Sequence, residues 1–324
     1  MIDQPAENRS SRVAAGLFNP ITGKKMVKTW LADTLFPYLH QHYRDAEAIT
    51  GERFFYPMPV YRPFLSIEEQ NEWMAKSAAP ELQSYIEDIA TRPLYPEVRD
   101  VYGGLILKQC GYLDTVAYIA AVRKLIEREA IFIEGTTPDK ELIIDGGVVR
   151  FKEYEAARII FCNGTHTNAW FGWLPIRPLK GEALRIQTSY PRELIINRGV
   201  YMVPATGSDI WRVGATHHFH DREPAVTEKA RKELATKISE LVSFPFIIVG
   251  QEWGLRPTTP DRRPLLGCHP ELDQAFIFNG LGTKGVSLAP YFSEVLVRSI
   301  ENGEPLHEEV NIERYKSLYW TAPK

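Results

Sequence analysis

Cysteine is scarce in this 324-residue chain: Cys110, Cys162 and Cys268 lie far apart, with no Cys-x-x-Cys pair. That spacing offers neither a disulfide framework nor a tetrahedral zinc site, so the three read as reduced core thiols. Long apolar runs are missing as well. Nothing approaches the roughly 18 consecutive apolar residues of a membrane span. The opening Met-Ile-Asp-Gln-Pro-Ala-Glu-Asn has neither the basic start nor the apolar centre of a signal peptide, and the expected location is cytoplasmic. An excess of one charge is also absent, with a net charge of −3. Phosphate backbones are held by concentrated Lys and Arg, so no strong nucleic-acid surface is expected. The densest basic cluster, Lys24, Lys25 and Lys28, reads as a solvated face. Low-complexity tracts and internal repeats do not occur. The expected partner is therefore a small molecule.

What the chain does have is an ordinary globular composition, 44% hydrophobic and 24% charged. Its length allows two domains or one large interleaved fold. Helical spacing is clearest over 113–129, where Val116, Ile119, Ala120, Val122, Leu125 and Ile126 share a face, and it recurs over 67–78, 81–90 and 227–242. Strand character marks 103–109, 131–134, 154–163, 200–204, 211–216 and 246–252. The order, β-rich blocks set between βα units, predicts an α/β protein with a second mixed-sheet part.

The C-terminal run from Trp253 is the richest in signals. It holds Gly254-Leu-Arg-Pro, Pro260-Asp261 and Gly280-Leu-Gly-Thr-Lys-Gly285, and then a helix whose apolar positions are Val286, Leu288, Val295, Leu296 and Ile300. Residues 275–279 read as a strand, so the unit is strand, glycine turn, helix. The first N–H groups of such a helix lack internal partners and suit a ligand that develops negative charge. Gly280, Gly282 and Gly285 match Gly-x-Gly-x-x-Gly, but no second strand ending in an acid follows about 20 residues on, as a nucleotide unit requires. A nicotinamide-dependent dehydrogenase accordingly ranks last among the readings. His217, His218, His220 and Asp221 offer metal-ligand chemistry, yet strand alternation would send His217 and His218 to opposite faces. No metal site is expected.

Four segments in order resemble the D-amino acid oxidase-like family of FAD-dependent amine oxidoreductases, in particular its glycine-oxidase branch. They are Ser10-Ser-Arg-Val-Ala-Ala-Gly16 with Asn19-Pro20, Leu174-Pro-Ile-Arg-Pro-Leu-Lys-Gly-Glu182, Gly254-Leu-Arg-Pro257 with Pro260-Asp261, and Gly280 through Pro290. Glu304-Pro-Leu306 and Glu313-Arg-Tyr315 are similar to the tail of the tRNA wobble-uridine-modifying branch. The resemblance implies a discontinuous, Rossmann-like FAD domain over 1–50, 109–177 and 255–324, and a mixed-sheet α+β substrate domain over 51–108 and 178–254. In the family, a strand, a Gly-x-Gly-x-x-Gly turn and its helix precede the residues that resemble Met1 to Gly16. The expectation is thus an FAD domain truncated at its N-terminus, with the pyrophosphate cradle missing from this chain.

By the same resemblance Asp3 would bond the adenosine ribose, while Ser10, Ser11, Ala14, Ala15, Gly16 and Leu17 would pack on the cofactor. Cys162, Asn163 and Gly164 would touch it from a strand end, and Gly280, Gly282, Thr283, Lys284 and Gly285 would face the flavin. Gly254 stands where sarcosine-oxidase-like relatives carry a flavin-linking cysteine, so FAD attachment is expected to be noncovalent. Arg256 would anchor a substrate carboxylate through its planar fork, with Tyr201 assisting and His217 lining the pocket. Lys284 would place positive charge near the pyrimidine end of the flavin. Where glycine-oxidase-like members carry a second arginine, this chain has Thr283 and Lys284, which turns the expectation away from free glycine. The implied activity is oxidation of a C–N bond in an amino acid or secondary amine by hydride transfer to flavin. The alternative is a catalytically silent binding or scaffold remnant with impaired FAD binding.

Overall fold

The structure, a computed structural model, describes residues 1–4, 8–23, 27–166, 168–218 and 223–321. Lys24, Lys25, His220 and Asp221 lie outside them. The chain divides into two compact units, residues 1–7, 123–179 and 255–324 in one, and residues 8–122 and 180–254 in the other. The unit boundary falls within the strands Arg177–Gln187 and Ile247–Thr258. Residues 8–50 and 109–122, assigned above to the cofactor part, group here with residues 180–254.

The unit of residues 8–122 and 180–254 is built on an eight-stranded mixed sheet. Its order is Ile247–Thr258, Arg177–Gln187, Ile210–Gly214, Val200–Pro204, Ile195–Arg198, Val60–Pro63, Gly104–Leu107 and Ile86–Ala90. Ile195–Arg198 runs parallel to Val60–Pro63, while Val200–Pro204 is antiparallel to both of its neighbours. Strand alternation explains the layering. Leu184, Ile186, Val200, Met202, Trp211 and Val213 turn to one face, where they pack with Leu234, Ile238 and Leu241 of the helix Glu228–Leu241. Each such fully buried side chain contributes about 2 kcal/mol. That helix starts where Thr227 accepts from Ala230 N, a side-chain N-cap. The helix Ala32–Thr50 builds a second core from Leu35, Phe36, Leu39 and Tyr43, with Phe55 stacked on Phe18.

The other unit carries parallel pairing. Ile2–Asp3 pairs with Ile133–Glu134, and Ile159–Phe161 pairs with Leu272–Asn279, which is flanked by the antiparallel strand Leu265–His269. A three-stranded meander spans Leu142–Asp145, Val148–Phe151 and Tyr154–Ala156. Phe161, Ala275, Ile277 and Leu265 form the core with Leu142, Phe151 and Phe171. The helix Gly285–Asn302 buries Leu288, Phe292 and Leu296.

Several expectations change. Residues 81–90 read as one helix but form a single turn, Pro80–Gln83, and then the edge strand Ile86–Ala90. Pairing of Ile86, Ile89 and Ala90 with Leu107, Leu105 and Gly104 overrides the local helical spacing. The strand expected over 154–163 splits, because Tyr154–Ala156 serves the meander and Ile159–Phe161 the parallel pair. The strand begun at Ile210 stops at Gly214, leaving His217 outside it. Only Cys110 is a buried thiol; Cys268 is half-buried and Cys162 is exposed. No helix of the described residues is long and apolar enough to cross a membrane.

Candidate functional site

In the unit containing the parallel strands, most of the expected cofactor residues gather at strand ends. The strand Ile159–Phe161 runs directly into Cys162, Asn163 and Gly164, and its partner Leu272–Asn279 runs into the glycine turn. Asn279, only 3% exposed, joins the two ends. Its amide donates to Gly164 O at 2.9 Å and to Asn163 Oδ1 at 3.3 Å, and its Oδ1 accepts from Gly280 N at 2.8 Å. Gly282 N donates to Pro257 O at 2.9 Å, which fixes the turn beside Arg256 on the strand Ile247–Thr258. Asp3 ends a further parallel strand of this unit, its carbonyl accepting from Gly135 N at 3.0 Å. Carboxyl ends of parallel strands are where α/β sheets bind ligands.

The turn needs its glycines for identifiable reasons. Gly280 has φ of +71°, and a Cβ there would stand 2.8 Å from Thr259 Cγ2. Around Gly164, by contrast, nothing lies within 4 Å of the Cβ position, and Thr283 is exposed. The turn is therefore tight toward Thr259, while open space lies beside Gly164 at the neighbouring strand end. The helix Gly285–Asn302 begins here with no acidic residue in its first turn, leaving its N-terminal partial positive charge uncancelled by a first-turn acid. Burial, and then the charges of Arg263 and Arg262, hold the Lys284 ammonium below its ordinary value. Cys162 is exposed yet closely surrounded, and that burial pushes its thiol up to about 11.

The sheet unit carries the remaining candidates. The short helix Ser10–Val13 leads into Ala14, Ala15, Gly16 and Leu17, with Ser11 exposed and Ser10 half-buried. Gly16, at φ +71°, passes so close to Leu113 that a Cβ would fall 1.8 Å from its carbonyl oxygen. Leu17 pairs with Tyr112. Arg212 Nη1 donates to Ala14 O at 2.5 Å, tying this segment to the sheet. Tyr201 lies on the same sheet face as Arg212, since Tyr201 pairs with Gly214 and Val203 with Arg212. A Cβ on Gly214 would meet the Tyr201 hydroxyl at 2.7 Å, so the glycine makes room for the phenol. Gly254 admits the start of the Ser10 segment, with Asn8 O 3.1 Å from its Cβ position.

His217 is exposed and follows a buried anchor. Thr216 N donates to Glu182 O at 3.1 Å, Thr216 Oγ1 accepts from Glu182 N at 2.9 Å, and His218 N donates to Lys180 O at 3.0 Å. Both side chains of Lys180 and Glu182 are fully buried, with Nζ and Oε1 3.5 Å apart. Glu182 also accepts from Thr227 N at 2.7 Å, from Thr227 Oγ1 at 2.8 Å and from Gln251 Nε2 at 2.7 Å. The donors come from the helix cap Thr227, from Gln251 on the strand Ile247–Thr258 and from Thr216, so Glu182 fastens the strands, the helix cap and the His217 segment together. Among the described residues no group of three or more His, Cys, Asp or Glu could hold a metal.

Arg256, Cys162, Asn163, Gly164 and the residues 280–285 thus come together within one unit, and Ser10 to Leu17 with Tyr201 and Arg212 within the other. Asn279, Arg212 and the buried role of Glu182 were missed. An asparagine directly before a glycine at a strand end was the available signal for the first. Nothing local distinguishes Arg212 from a solvated arginine.

A family model described as "DAO: FAD dependent oxidoreductase" matches residues 3–299. The chain is 24% identical over 328 residues to the tRNA 5-methylaminomethyl-2-thiouridine biosynthesis bifunctional protein MnmC of Idiomarina loihiensis, covering 87% of this chain and 52% of that protein. It therefore spans about half the length of that relative. Glycine oxidase from Geobacillus kaustophilus superposes with a TM-score of 0.76 at 17% identity, over 97% of this chain and 90% of that one. Iminodiacetate oxidase from Chelativorans gives a TM-score of 0.76 at 18% identity, over 97% and 91%.

Proposed function

The chain belongs to the DAO family of FAD-dependent oxidoreductases, and we propose that it oxidises the C–N bond of a carboxylate-bearing amine, an amino acid or an N-substituted glycine. The carrying observation is the fastening of the glycine turn to the strand of Arg256, through Gly282 N and Pro257 O. It brings the strand of Arg256, proposed here as the carboxylate anchor, next to the glycine turn, and supports the reading. Two of the structural neighbours, a glycine oxidase and an iminodiacetate oxidase, are by name oxidases of such compounds, which supports the reading.

Open space beside Gly164 and the exposed Thr283 leave room for a flavin at these strand ends, while Gly280 lets the turn pack tightly on Thr259 and Leu265. Bound FAD supplies an acceptor for the hydride leaving the carbon beside nitrogen. This chain's own residues bind and orient. The Arg256 guanidinium fixes the substrate carboxylate with two parallel hydrogen bonds. Lys284 and the N-terminus of the helix Gly285–Asn302 set positive charge where negative charge develops. Asn279 keeps the turn and the residues 162–164 at fixed separation. Tyr201 and His217 are assigned as substrate-contacting residues of the sheet unit, and Ala14 to Leu17 as small residues that admit the cofactor. Asp3 is assigned to the ribose. Attachment is noncovalent, in keeping with Gly254.

A visible absorption spectrum of the purified chain, before and after adding FAD, tests the reading. Flavin bands that bleach anaerobically on addition of an N-substituted glycine support it. A colourless protein that FAD does not reconstitute refutes it.

A further inference from the structure

Two strand ends of the sheet unit leave a positive charge over. Val60–Pro63 and Ile195–Arg198 run parallel, and the helix Ile67–Lys76, capped by Ser66, starts just beyond the first of them. Arg62 and Arg198 both turn to Glu69 in the first turn of that helix. Arg62 Nη2 stands 3.4 Å from Glu69 Oε1, and Arg198 Nη2 stands 3.4 Å from Oε2, which also accepts from Leu65 N at 2.7 Å. The side chains of Arg62, Arg198 and Glu69 are 14%, 11% and 18% exposed, so one carboxylate serves two largely buried guanidinium groups. The other acids of the helix are engaged elsewhere, Glu68 with the Ser66 hydroxyl and Glu72 with Lys76.

Acceptors are short as well. Among the described residues Arg62 uses one donor of its fork, on Glu69, and Arg198 uses two, on Glu69 and on Pro63 O. Arg62 Nε is buried and has no acceptor there. A buried donor left unmade costs stability, and 3.4 Å is long for a charge-assisted bond. A further carboxylate between the two arginines would balance the charge and take up the idle donors.

Strand register relates this cluster to Tyr201. Ile195 pairs with Val60, and Asn197 pairs with Tyr201. Alternation along the strands then puts Arg62, Asn197 and Tyr201 on one face of the sheet. Two strand spacings, about 10 Å, separate Arg62 from Tyr201.

We propose that Arg62 and Arg198 anchor a second carboxylate of the substrate, which makes the substrate an amine carrying two carboxylates rather than one. The anion site stands on the charge and the idle donors; giving it to the substrate rests on the amine-oxidising reading above.

The test is calorimetric titration of the full chain, with FAD supplied, using acetate, N-methylglycine and iminodiacetate. Iminodiacetate should bind about fivefold more tightly than N-methylglycine, the size of one contact between unit charges in water. Arg62→Gln should remove that preference, weaken acetate and leave N-methylglycine unchanged. Glu69→Gln keeps an acceptor for Leu65 N but takes away the competing carboxylate, and should strengthen acetate and iminodiacetate about fivefold. A purely structural ion pair predicts instead that both variants lose stability and neither changes the preference. Lys232→Gln, removing an equal charge from a side chain 78% exposed on the helix Glu228–Leu241, should change nothing. Acetate affinity that Glu69→Gln leaves equal or lowers, or that Lys232→Gln weakens as much as Arg62→Gln does, overturns the anion site. Should Arg62→Gln fail to fold, Glu69→Gln decides alone. Acetate binding in the expected pattern without a preference for iminodiacetate overturns the assignment to the substrate. A chain that binds acetate in that pattern yet shows no flavin bands leaves the anion site standing and removes the cofactor reading.

Discussion

Replacing Glu182 by alanine should loosen the sheet unit more than any other single polar change. The carboxylate is fully buried, accepts three hydrogen bonds from Thr227 and Gln251, and stands 3.5 Å from the equally buried Lys180 ammonium. Removing one partner of a buried ion pair leaves the other charge uncompensated, at about 3–5 kcal/mol. The orphaned Thr227 and Gln251 donors fall within that loss, since the groups act as one network. About 4 kcal/mol is a large part of the roughly 5–15 kcal/mol by which a native protein is stable. Glu182→Gln, which keeps the shape and one acceptor, should cost about half as much. The double variant Lys180→Met with Glu182→Leu removes both charges at similar volume but still leaves the Thr227 and Gln251 donors without their acceptor, so it should recover only part of the loss. Hydrogen exchange of the strand Arg177–Gln187 and the helix Glu228–Leu241 reads this locally, and Trp253, whose ring lies 5.9 Å from Lys180 Nζ, reports it by emission. A loss under about 1 kcal/mol in Glu182→Ala, or a double variant as unstable as that single one, would refute the reasoning.

Other outcomes follow from the same structure. Asn279→Ala should cut FAD affinity at least fivefold, measured by flavin fluorescence quenching, because the cradle loses the bonds joining Gly280 to the residues 163 and 164. Arg256→Lys should raise KM about tenfold with a smaller change in kcat, as loss of a bidentate fork weakens ground-state binding; an unchanged KM would remove the anchor role. With its thiol pushed up to about 11, exposed Cys162 should be alkylated slowly at pH 7.5, accelerate nearly tenfold per pH unit up to about pH 10, and be protected by FAD. Burial works to raise the Asp261 carboxyl, but the Arg314 hydrogen bond and the Arg263 N–H outweigh it and hold it below the ordinary value. Its contribution is therefore present above the unfolded carboxylate pKa of about 3.9 and lost as pH falls through the lower folded value. Arg314→Ala should flatten that acid limb in a pH series of thermal melts.

Much of the turn and little of its surroundings could be read from residues alone. The strand, glycine turn and helix at 272–302 were legible because glycine spacing and a 3.6-residue apolar period are local properties. So were the helices at 115–129 and 228–241, where capping and periodicity agree. Residues 81–90 misled because an edge strand with a register shift carries no clean alternation, and only its partner Gly104–Leu107 decides its state. Nothing local marks Lys180 and Glu182 as buried, since the bonds that hold Glu182 come from Thr227 and Gln251, which lie 45 and 69 residues away from it.

The amino-acid order by itself determined the α/β class, the family resemblance, the glycines that permit a left-handed turn, and the arginine placed two residues after Gly254. Only the tertiary structure decided that Asn279 ties residues 163 and 164 to the turn, that Arg212 holds Ala14, and that Glu182 is bonded by Thr227 and Gln251. Each of these is a contact between residues distant in sequence or bent together by a loop. Such proximity is fixed by strand register and by hydrogen bonds between elements, which no local pattern encodes.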